Sequence, residues 1–465
     1  MAKNKFISFY EMSKPADKQF KGDEASQKRY LRKLQWSSFL AGTIGYSLYY
    51  VCRTSLNVVK KPIIDSGVLD AQQLGVVGSV LLFSYAIGKL VNGFLADYSN
   101  IKRFMATGLA VSAVANLLVA LLGFSFNSPL FMGVMGFFIM FCVLWAINGW
   151  CQSMGAAPAI IALSRWFPLS TRGTFYGFFS ASHNLGEFLS FIFVGSLVAL
   201  FGWQYGFMGA SVAGLLGVIV VLLFLHDTPE SKGLPPIEKL AGETNAKKEL
   251  LDTRETQKRV LRNPYVWILA LASSFMYISR YAINGWGVLF LQEQKGFSLE
   301  SATQIVSINA LLGIIGTVFS GWMSDKLFRG NRHVPALIFG VLNTVALCLF
   351  LYSDNSVLMN VLSMVLFGIA IGVLICFLGG LMAVDIVPRS ATGATLGIIG
   401  IASYIGAGLQ DIISGTLIEG SKISVIVDGV MTDKYDFTYA GQFWIGASIV
   451  SFLLATLTWN AKRSE

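Results

Sequence analysis

Residues 50–57 read YVCRTSLN, and residues 277–284 read YISRYAIN. The two octapeptides share the pattern Y-x-x-R-x-x-[LI]-N, and each lies within a long apolar segment. Arg53 corresponds to Arg280 at an offset of 227 residues, which the tyrosine and asparagine of the pattern also keep. An ionised side chain at the middle of a bilayer costs about 2.5–3.5 kcal/mol on insertion scales, so it is a functional candidate by default. The pattern therefore predicts two equivalent helices, each with one functional arginine.

Two further sets of residues repeat in the same order. GFLAD at 93–97 matches GWMSD at 321–325 with an offset of 228 residues, and basic residues follow both segments. The third set has an offset of 220 residues and matches Arg165, Pro168 and Gly173 with Asp385, Pro388 and Gly393. Three matched sets in one order predict an internal duplication of six helices. The halves run parallel, because six is an even number.

The composition is that of an integral membrane protein. Of 465 residues, 54% are hydrophobic and only 13% are charged, and the mean hydropathy is +0.62. A soluble protein of this length would carry roughly 25% charged residues. The five cysteines are scattered singly, with no C-x-x-C pair and no metal-ligand spacing, so we expect packed thiols, no metal site and no cofactor.

Twelve segments are apolar enough to cross a bilayer, which takes about 20 residues per helix. The predicted fold is all-α, with two pseudo-symmetric six-helix bundles. The predicted spans lie near 36–58, 73–96, 104–124, 130–164, 172–201 and 205–226, then 264–291, 300–323, 334–353, 358–386, 390–420 and 438–460. The predicted domains are a basic segment 1–35, bundles 36–226 and 264–465, and a linker 227–263 between them.

Basic residues predict the orientation of the chain. Of the 35 lysines and arginines, 27 fall on the side of the N-terminus, 5 on the opposite side and 3 within spans. The positive-inside rule then places both termini in the cytoplasm of a cell-membrane protein. This excess of basic residues on one side accounts for the net charge of +9, so no nucleic-acid partner is needed to explain it. The polar N-terminus lacks the apolar core of a cleaved signal peptide. On the opposite side, Asp428-Gly429 between β-favouring residues predicts a hairpin.

Duplicated bundles around a midplane site are a common design of secondary transporters. The pseudo-two-fold axis along the membrane normal would place Arg53 and Arg280 at matching depths on the central seam. An arginine fork binds two phosphate oxygens at once, so two arginines facing one cavity suit a dianion. The alternative is that each arginine pairs with a buried acid such as Asp411 or Glu187.

The chain resembles the organophosphate:phosphate antiporters of the major facilitator superfamily from about residue 36 to 460. It is most similar to the branch of bacterial hexose-phosphate transporters and their transporter-like sensor. The segments that carry the resemblance are YYVCRTSLN, YAIGKLVNGFLADYSNIKRF, SASHNLG, HDTPESKGLP, LRNPYVWILALASSFMYISRYAINGWG and GWMSDKLFRGNR. The resemblance implies that the arginines of the first and seventh helices bind phosphate.

Other candidates surround the arginines. Tyr50 and Tyr277 lie three residues before them, on nearly the same helical face, and either complete the phosphate shell or only pack. By resemblance, Lys89, His183 and Tyr404 match family residues at or near the site. Lys89 could instead hold helices by pairing with an acid, and His183 could be a packed hydrogen-bonding residue.

Three acidic residues have separate predicted roles. We expect Asp97 and Asp325 to belong to a cytoplasmic gate, bonding helix ends and loop arginines. Glu187 stands where the resemblance leads us to expect glycine, four residues after His183 on a helix. We hypothesise that Glu187 holds His183, favours its charged form and couples transport to pH.

The sequence predicts a carrier, not an enzyme, that exchanges inorganic phosphate for an organic phosphate such as glucose 6-phosphate. Family members with hexose-phosphate selectivity carry a charged pair where this chain has Leu396 and Ile399, which leaves the organic half open. The alternatives are a hexose-phosphate sensor of the same fold, an antiporter for glycerol 3-phosphate or another organophosphate, and a proton-coupled carrier of another solute. An enzyme is disfavoured, because no nucleophile–base pair or H-E-x-x-H motif is found. We expect a monomer in the lipid bilayer.

Overall fold

The computed structural model describes residues 5–126, 128, 133–240, 260–329, 331–387, 392–427, 430–459 and 461. Twelve long helical segments account for most of them. In the first half they are α1 (Glu24–Asp65), α2 (Ala71–Asp97), α3 (Ile101–Phe124), α4 (Gly133–Trp166), α5 (Leu169–Ser180, Ser182–Leu189, a π-helical turn Ser190–Val194, and Gly195–Phe201) and α6 (Trp203–Phe224). In the second half they are α7 (Pro264–Glu293), α8 (Leu299–Lys326), α9 (His333–Tyr352), α10 (Val357–Cys376, a π-helical turn Phe377–Leu381, and Met382–Asp385), α11 (Thr392–Gly420) and α12 (Thr438–Thr456).

Short polar side chains set where several of these helices begin. Asp70 forms a capping box with Gln73 at the start of α2, and Asn100 accepts a hydrogen bond from the Arg103 amide at the start of α3. Asn263 caps α7, where Pro264 at the first helical position is preset for a helix. These starts lie within a few residues of the predicted ones.

Helix α1 is the exception, because it begins at Glu24 and ends at Asp65 instead of spanning 36–58. It therefore includes part of the predicted basic segment at one end and Lys60 at the other. Among the described helices, eleven others are long and apolar enough to cross a membrane. With α1 they make the predicted twelve-helix architecture, and the all-α fold class is confirmed.

Helix contacts follow the sequence repeat. Helix α2 packs against α11, and α5 packs against α8, while α1 meets α7 at the centre. In the duplication α1 corresponds to α7, α2 to α8 and α5 to α11. The contact between α2 and α11 in one half-to-half direction therefore corresponds to the contact between α8 and α5 in the other. A seam between the two halves thus runs along α1, α2, α5, α7, α8 and α11.

The seam is closed at the end of the bundle far from the termini. A Cβ added to Gly75 would lie 2.4 Å from the carbonyl oxygen of Asp411, and one added to Gly415 would lie 2.6 Å from that of Ala71. Lys61 of α1 also forms an ion pair with Glu293 of α7. Only glycine permits backbones to approach this closely.

The seam is open at the end that carries the termini. A Cβ added at Gly93 of α2, Gly173 of α5, Gly321 of α8 or Gly397 of α11 would have no atom of another described residue within 4 Å. The same four helices are in tight contact at the far end. The structure therefore shows one of the two states that alternating access requires.

The predicted hairpin is confirmed at the far end. Strands β1 (Lys422–Val427) and β2 (Val430–Tyr435) pair antiparallel, with Lys422 opposite Tyr435. The predicted turn residues Asp428 and Gly429 lie outside the described residues. The side-chain amide of Gln294 donates to the Tyr435 carbonyl, which ties the hairpin to the end of α7.

The N-terminal segment lies across the loops at the terminal end, so it is neither a free tail nor a long surface helix over its described part. The amide of Ser13 donates to Asp227 at 2.7 Å, and the Asn100 amide donates to the Tyr10 carbonyl at 2.7 Å. Asp227 also accepts from the Ile101 amide at 3.1 Å and from Arg165 at 2.6 Å. Asp227 thus joins the N-terminal segment, α3 and α4.

We expect acidification to destabilise this end of the protein through His226. Burial, followed by the charges of Lys232 and Lys102, lowers the pKa of His226 to about 4. The unfolded chain, with an ordinary pKa near ~6.5, therefore binds the proton first as the pH falls. Stability should fall between about pH 6.5 and 4 and then level off. Thermal unfolding in detergent across this range should show a smaller fall for His226→Gln, and an equal fall in both proteins would contradict the assignment.

Candidate functional site

Arg53 projects from α1 into the seam with part of its guanidinium unpaired. The side chain is 5% exposed, and its Nε and Nη2 atoms have no hydrogen-bond partner among the described residues. Three tyrosine rings surround the guanidinium carbon, at 3.9 Å (Tyr85), 5.1 Å (Tyr50) and 5.6 Å (Tyr404) from their centroids. The ring faces attract the cation, but a ring face is not an ordinary hydrogen-bond acceptor. Arg53 therefore keeps N–H donors for a ligand.

Arg280, the repeat partner on α7, has an acidic neighbour from the other half. Its Nη2 donates to Glu187 of α5 at 3.3 Å, and both side chains are almost fully buried. The side-chain amide of Asn284, one turn along α7, donates to the second Glu187 oxygen at 2.7 Å. The alternative considered from the sequence, that a buried acid pairs with an arginine, thus holds for Arg280.

The predicted hydrogen bond between Glu187 and His183 is not formed. The described partners of Glu187 lie across the seam, and the Nε2 atom of His183 is buried without a partner. The residues are one turn apart, but a guanidinium and an amide opposite Glu187 offer a carboxylate stronger charge-assisted bonds. The predicted contact, in which Glu187 holds His183 in its charged form, is therefore wrong.

Tyrosines connect the two arginines. The ring of Tyr277 is 5.5 Å from that of Tyr404, and the Arg280 guanidinium is 5.8 Å from the Tyr277 ring. Because Tyr404 of α11 also lies 5.6 Å from Arg53, both cations border one aromatic cluster. The structure thus brings Arg53, Arg280 and the three predicted tyrosines together at the seam.

Lys89 and His183 lie at the edges of this cluster. The Lys89 Nζ is 5.5 Å from the Tyr404 ring, and it would lie 3.1 Å from a Cβ at Gly400 of α11, so Lys89 reaches the opposite half. Its side chain is exposed. The His183 ring is 5.8 Å from that of Tyr50. Both predicted residues therefore border the same part of the seam.

The two residues predicted to form a gate lie away from the arginines. Asp97 is exposed at the end of α2, and it is its backbone carbonyl that accepts from Arg165, at 3.3 Å. The carboxylate that binds Arg165 is that of Asp227, which the sequence reading did not select. The side chain of Asp325 lies outside the described part of the chain. In the second half, Arg332 pairs with Asp385 at 3.3 Å.

A second buried ion pair crosses the seam on the far-end side. Lys60 of α1 lies 3.5 Å from Asp411 of α11, with the two side chains 1% and 7% exposed. Trp286 of α7 donates its indole N–H to Asp411 at 2.8 Å, and Lys60 lies 3.4 Å from the centre of the indole ring system. Asp411 therefore pairs with a lysine that the sequence reading placed in a loop, not with an arginine.

We expect Asp411→Asn to destabilise this closed end strongly. The substitution leaves Lys60 buried without a counter-charge, and breaking one side of a buried pair costs about 3–5 kcal/mol. The unfolding temperature in detergent should fall for Asp411→Asn and recover in the double variant Lys60→Met/Asp411→Asn. A single variant as stable as the parent would show that the pair contributes nothing.

Several site residues were not selected from the sequence, although periodicity offered a signal. Tyr281 lies one turn after Tyr277, and Tyr85 one turn before Lys89. Lys60 lies seven residues after Arg53, on the same helical face if α1 is extended past residue 58. A small cavity of about 30 Å³ lies between the halves, and its lining includes Tyr50, Arg53, Glu187, Tyr281 and Asp411.

Buried hydrogen-bond donors without partners lie around the two arginines. Near the arginines, the buried atoms without partners include Nε and Nη2 of Arg53 and the Asn184 amide nitrogen, which can only donate, Nε2 of His183, and one acceptor, Oδ1 of Asn284. Among the described residues, no group of three or more His, Cys, Asp or Glu side chains could hold a metal ion. Buried donors with spare N–H groups fit an oxyanion.

Comparisons with known proteins agree on the type of molecule. The family model described as Major Facilitator Superfamily matches residues 42–410. A probable hexose phosphate transport protein of Chlamydia pneumoniae is 32% identical, with 96% of both chains covered. The glycerol-3-phosphate transporter of Bacillus subtilis is 30% identical, covering 97% of this chain and 98% of the relative. The membrane sensor protein UhpC of Salmonella typhimurium is 34% identical, covering 79% of this chain and 81% of the relative.

A solved structure supports the fold. A bacterial homolog of the human lysosomal transporter Spinster, in an inward-facing and unoccupied conformation, aligns with a TM-score of 0.72. The alignment covers 95% of this chain and 100% of the other at 17% sequence identity. At this identity the similarity concerns the fold alone.

Proposed function

Because the chain belongs to the Major Facilitator Superfamily, in its organophosphate:phosphate antiporter branch, we propose that it exchanges a sugar phosphate for inorganic phosphate across the cell membrane. The relatives are transporters of this superfamily and a sensor, and the chain is not an enzyme. The substrate class follows from the hexose-phosphate and glycerol-3-phosphate relatives together with the two seam arginines. Arg53 and Arg280 bind the phosphate group in this proposal.

The observation that carries the proposal is the unpaired guanidinium of Arg53. A buried N–H group without a partner costs about 1–3 kcal/mol, and more on a charged group. Such a cost is understandable where a ligand supplies the missing acceptor. Phosphate oxygens match the fork geometry of arginine and bond two N–H groups at once. His183, Tyr50, Tyr277, Tyr404 and Lys89 border the same place and complete the proposed binding site.

Binding would promote closure because each half contributes one arginine. Although Glu187 pairs with Arg280, the site without a ligand keeps a net positive charge, which resists approach of the halves at the terminal end of the seam. A phosphate group bonded to both arginines bridges α1 and α7, so the loaded protein can close at the terminal end and open at the far end. Exchange then follows, because the protein returns readily to its first conformation only when a second phosphate compound occupies the site. The binding energy is used to lower the barrier to reorientation.

In this proposal the organic phosphate that is exchanged is a hexose phosphate such as glucose 6-phosphate. A glycerol 3-phosphate antiporter has support from the Bacillus relative, and a sensor of the same fold has support from the Salmonella relative, a membrane sensor protein. A sensor needs the same phosphate contacts but no reorientation. The proposal includes a monomer with both termini in the cytoplasm, as the excess of basic residues on that side predicts.

The test is uptake of labelled phosphate into liposomes that hold the purified protein. The liposomes are empty or preloaded with phosphate, glucose 6-phosphate, glycerol 3-phosphate or phosphoenolpyruvate. Uptake that requires an internal phosphate compound supports the antiporter, and the best internal compound identifies its partner. Binding of hexose phosphate without any uptake would instead identify a sensor, and absence of both would contradict the proposal.

A further inference from the structure

Glu187 leaves the two arginines in unequal electrostatic positions. Arg280 donates to the Glu187 carboxylate at 3.3 Å, whereas Nε and Nη2 of Arg53 are unpaired. Glu187 is 3% exposed and belongs to the opposite half from Arg280. The carboxylate therefore lies where a phosphate bound to both arginines would place its own oxygen atoms.

We infer that Glu187 is the internal counter-ion of Arg280 and that a phosphate dianion displaces it only when Glu187 takes up a proton. This inference rests on the proposed function and adds proton coupling to it. With Glu187 ionised, the two arginines and the carboxylate sum to one positive charge. A dianion would leave an uncompensated negative charge in a buried seam, which is strongly disfavoured. A proton on Glu187 brings the sum to zero.

The neighbouring groups support this assignment to Glu187. On α7 it faces Arg280 and Asn284, and on α1 it faces Arg53 across the cavity. On its own helix, His183 lies one turn away without forming a bond to it. The remaining acid that lines the cavity, Asp411 of α11, is occupied by Lys60 and Trp286. Helix α8 presents Gly313 beside Asn184, with no charge at that contact.

The hydrogen bond from Asn284 indicates how the carboxyl is held when its charge changes. The Asn284 amide donates to one Glu187 oxygen at 2.7 Å and can continue to do so if the other oxygen carries the proton. The protonated carboxyl then has no charge to compete for Arg280, and the guanidinium is available to phosphate. Phosphate can bind as the dianion with a proton on Glu187, or as the monoanion with Glu187 ionised. Starting from the free dianion, each of these two modes takes up one proton, so the parent protein alone does not distinguish them.

The test measures equilibrium binding of labelled inorganic phosphate to the full-length purified protein at pH 6, 7 and 8. For the parent protein we expect the affinity, expressed per concentration of dianion, to fall about tenfold per pH unit. In Glu187→Gln the same quantity should be nearly independent of pH, and binding at about pH 8 should be tighter than in the parent. Glu187→Asp, which keeps a carboxyl, should retain the pH dependence, as should the surface control Glu24→Gln.

The outcomes separate this inference from the proposed function. If Glu187→Gln binds phosphate with the parent's pH dependence, the coupling inference is overturned while the phosphate site stands. If neither protein binds phosphate although both unfold cooperatively, the proposed function fails first. If Glu187→Gln does not fold, Glu187→Gly, which restores the residue expected at this position from the resemblance, replaces it, and loss or retention of the pH dependence is interpreted in the same way.

Discussion

Arg53→Lys and Arg280→Lys should each nearly abolish phosphate exchange, although both keep the positive charge. Lysine is a point charge without the planar fork, so one of two phosphate oxygens loses its donor. A hydrogen bond to a charged group is worth about 1.5–3 kcal/mol, which corresponds to roughly 10–100-fold in affinity per arginine. The measurement is exchange of labelled phosphate in liposomes, as a function of substrate concentration.

Arg262→Lys provides the matched control, because Arg262 is an exposed arginine outside the seam. Its exchange rate should equal that of the parent. The effects of the two seam variants should differ, since Arg280 is already paired with Glu187 and Arg53 is not. Exchange at the parent's rate in either seam variant would show that a bidentate arginine is not needed there.

Gly75→Leu should stop exchange by a different route, without weakening the phosphate site directly. A Cβ at Gly75 would lie 2.4 Å from the Asp411 carbonyl and 3.2 Å from the Gly415 Cα, so α2 and α11 cannot approach as they do here. Forcing a side chain between the helices excludes the state that is closed at the far end. The variant should bind phosphate but exchange it at least roughly 100-fold more slowly, because closure requires this contact.

A cysteine in place of Asn57 reports whether the far end of the seam is open or closed. Asn57 is partly buried and lines the cavity of about 30 Å³ between the halves. With the far end closed, Asn57→Cys in a background without the five native cysteines should react slowly with an impermeant maleimide added from that side. Adding Gly75→Leu should make the reaction fast, whereas Gly93→Leu, where a Cβ meets open space, should not. Equal labelling in all three proteins would show that this contact does not close the seam.

The sequence predicted the architecture well because the determining signals are local. Runs of apolar residues define the spans, and Asp70, Asn100 and Asn263 cap helices close to the predicted starts. The repeat around Arg53 and Arg280 predicted two equivalent helices, and α1 and α7 indeed meet at the centre. The hairpin followed from Asp428-Gly429 between β-favouring residues.

Side-chain pairing was predicted less well, because it depends on contacts distant in sequence. Glu187 and Arg280 are separated by 93 positions, and Lys60 and Asp411 by 351. The spacing of four residues predicted a contact between Glu187 and His183, but the Arg280 guanidinium across the seam is the stronger partner. Lys60 follows the apolar part of α1, so its burial becomes evident only when α11 is placed beside it. The roles of Lys89, His183 and the tyrosines in binding remain predictions.

Equilibrium binding of labelled inorganic phosphate to the purified protein shows whether a phosphate site lies between the two arginines. We expect saturable binding of one phosphate per chain, competition by glucose 6-phosphate or another organic phosphate, and loss of binding in Arg53→Lys. This measurement does not require transport, so it addresses the site whether the protein is a carrier or a sensor. Phosphate binding that is absent, or unchanged in both Arg53→Lys and Arg280→Lys, would contradict a site built between the two arginines.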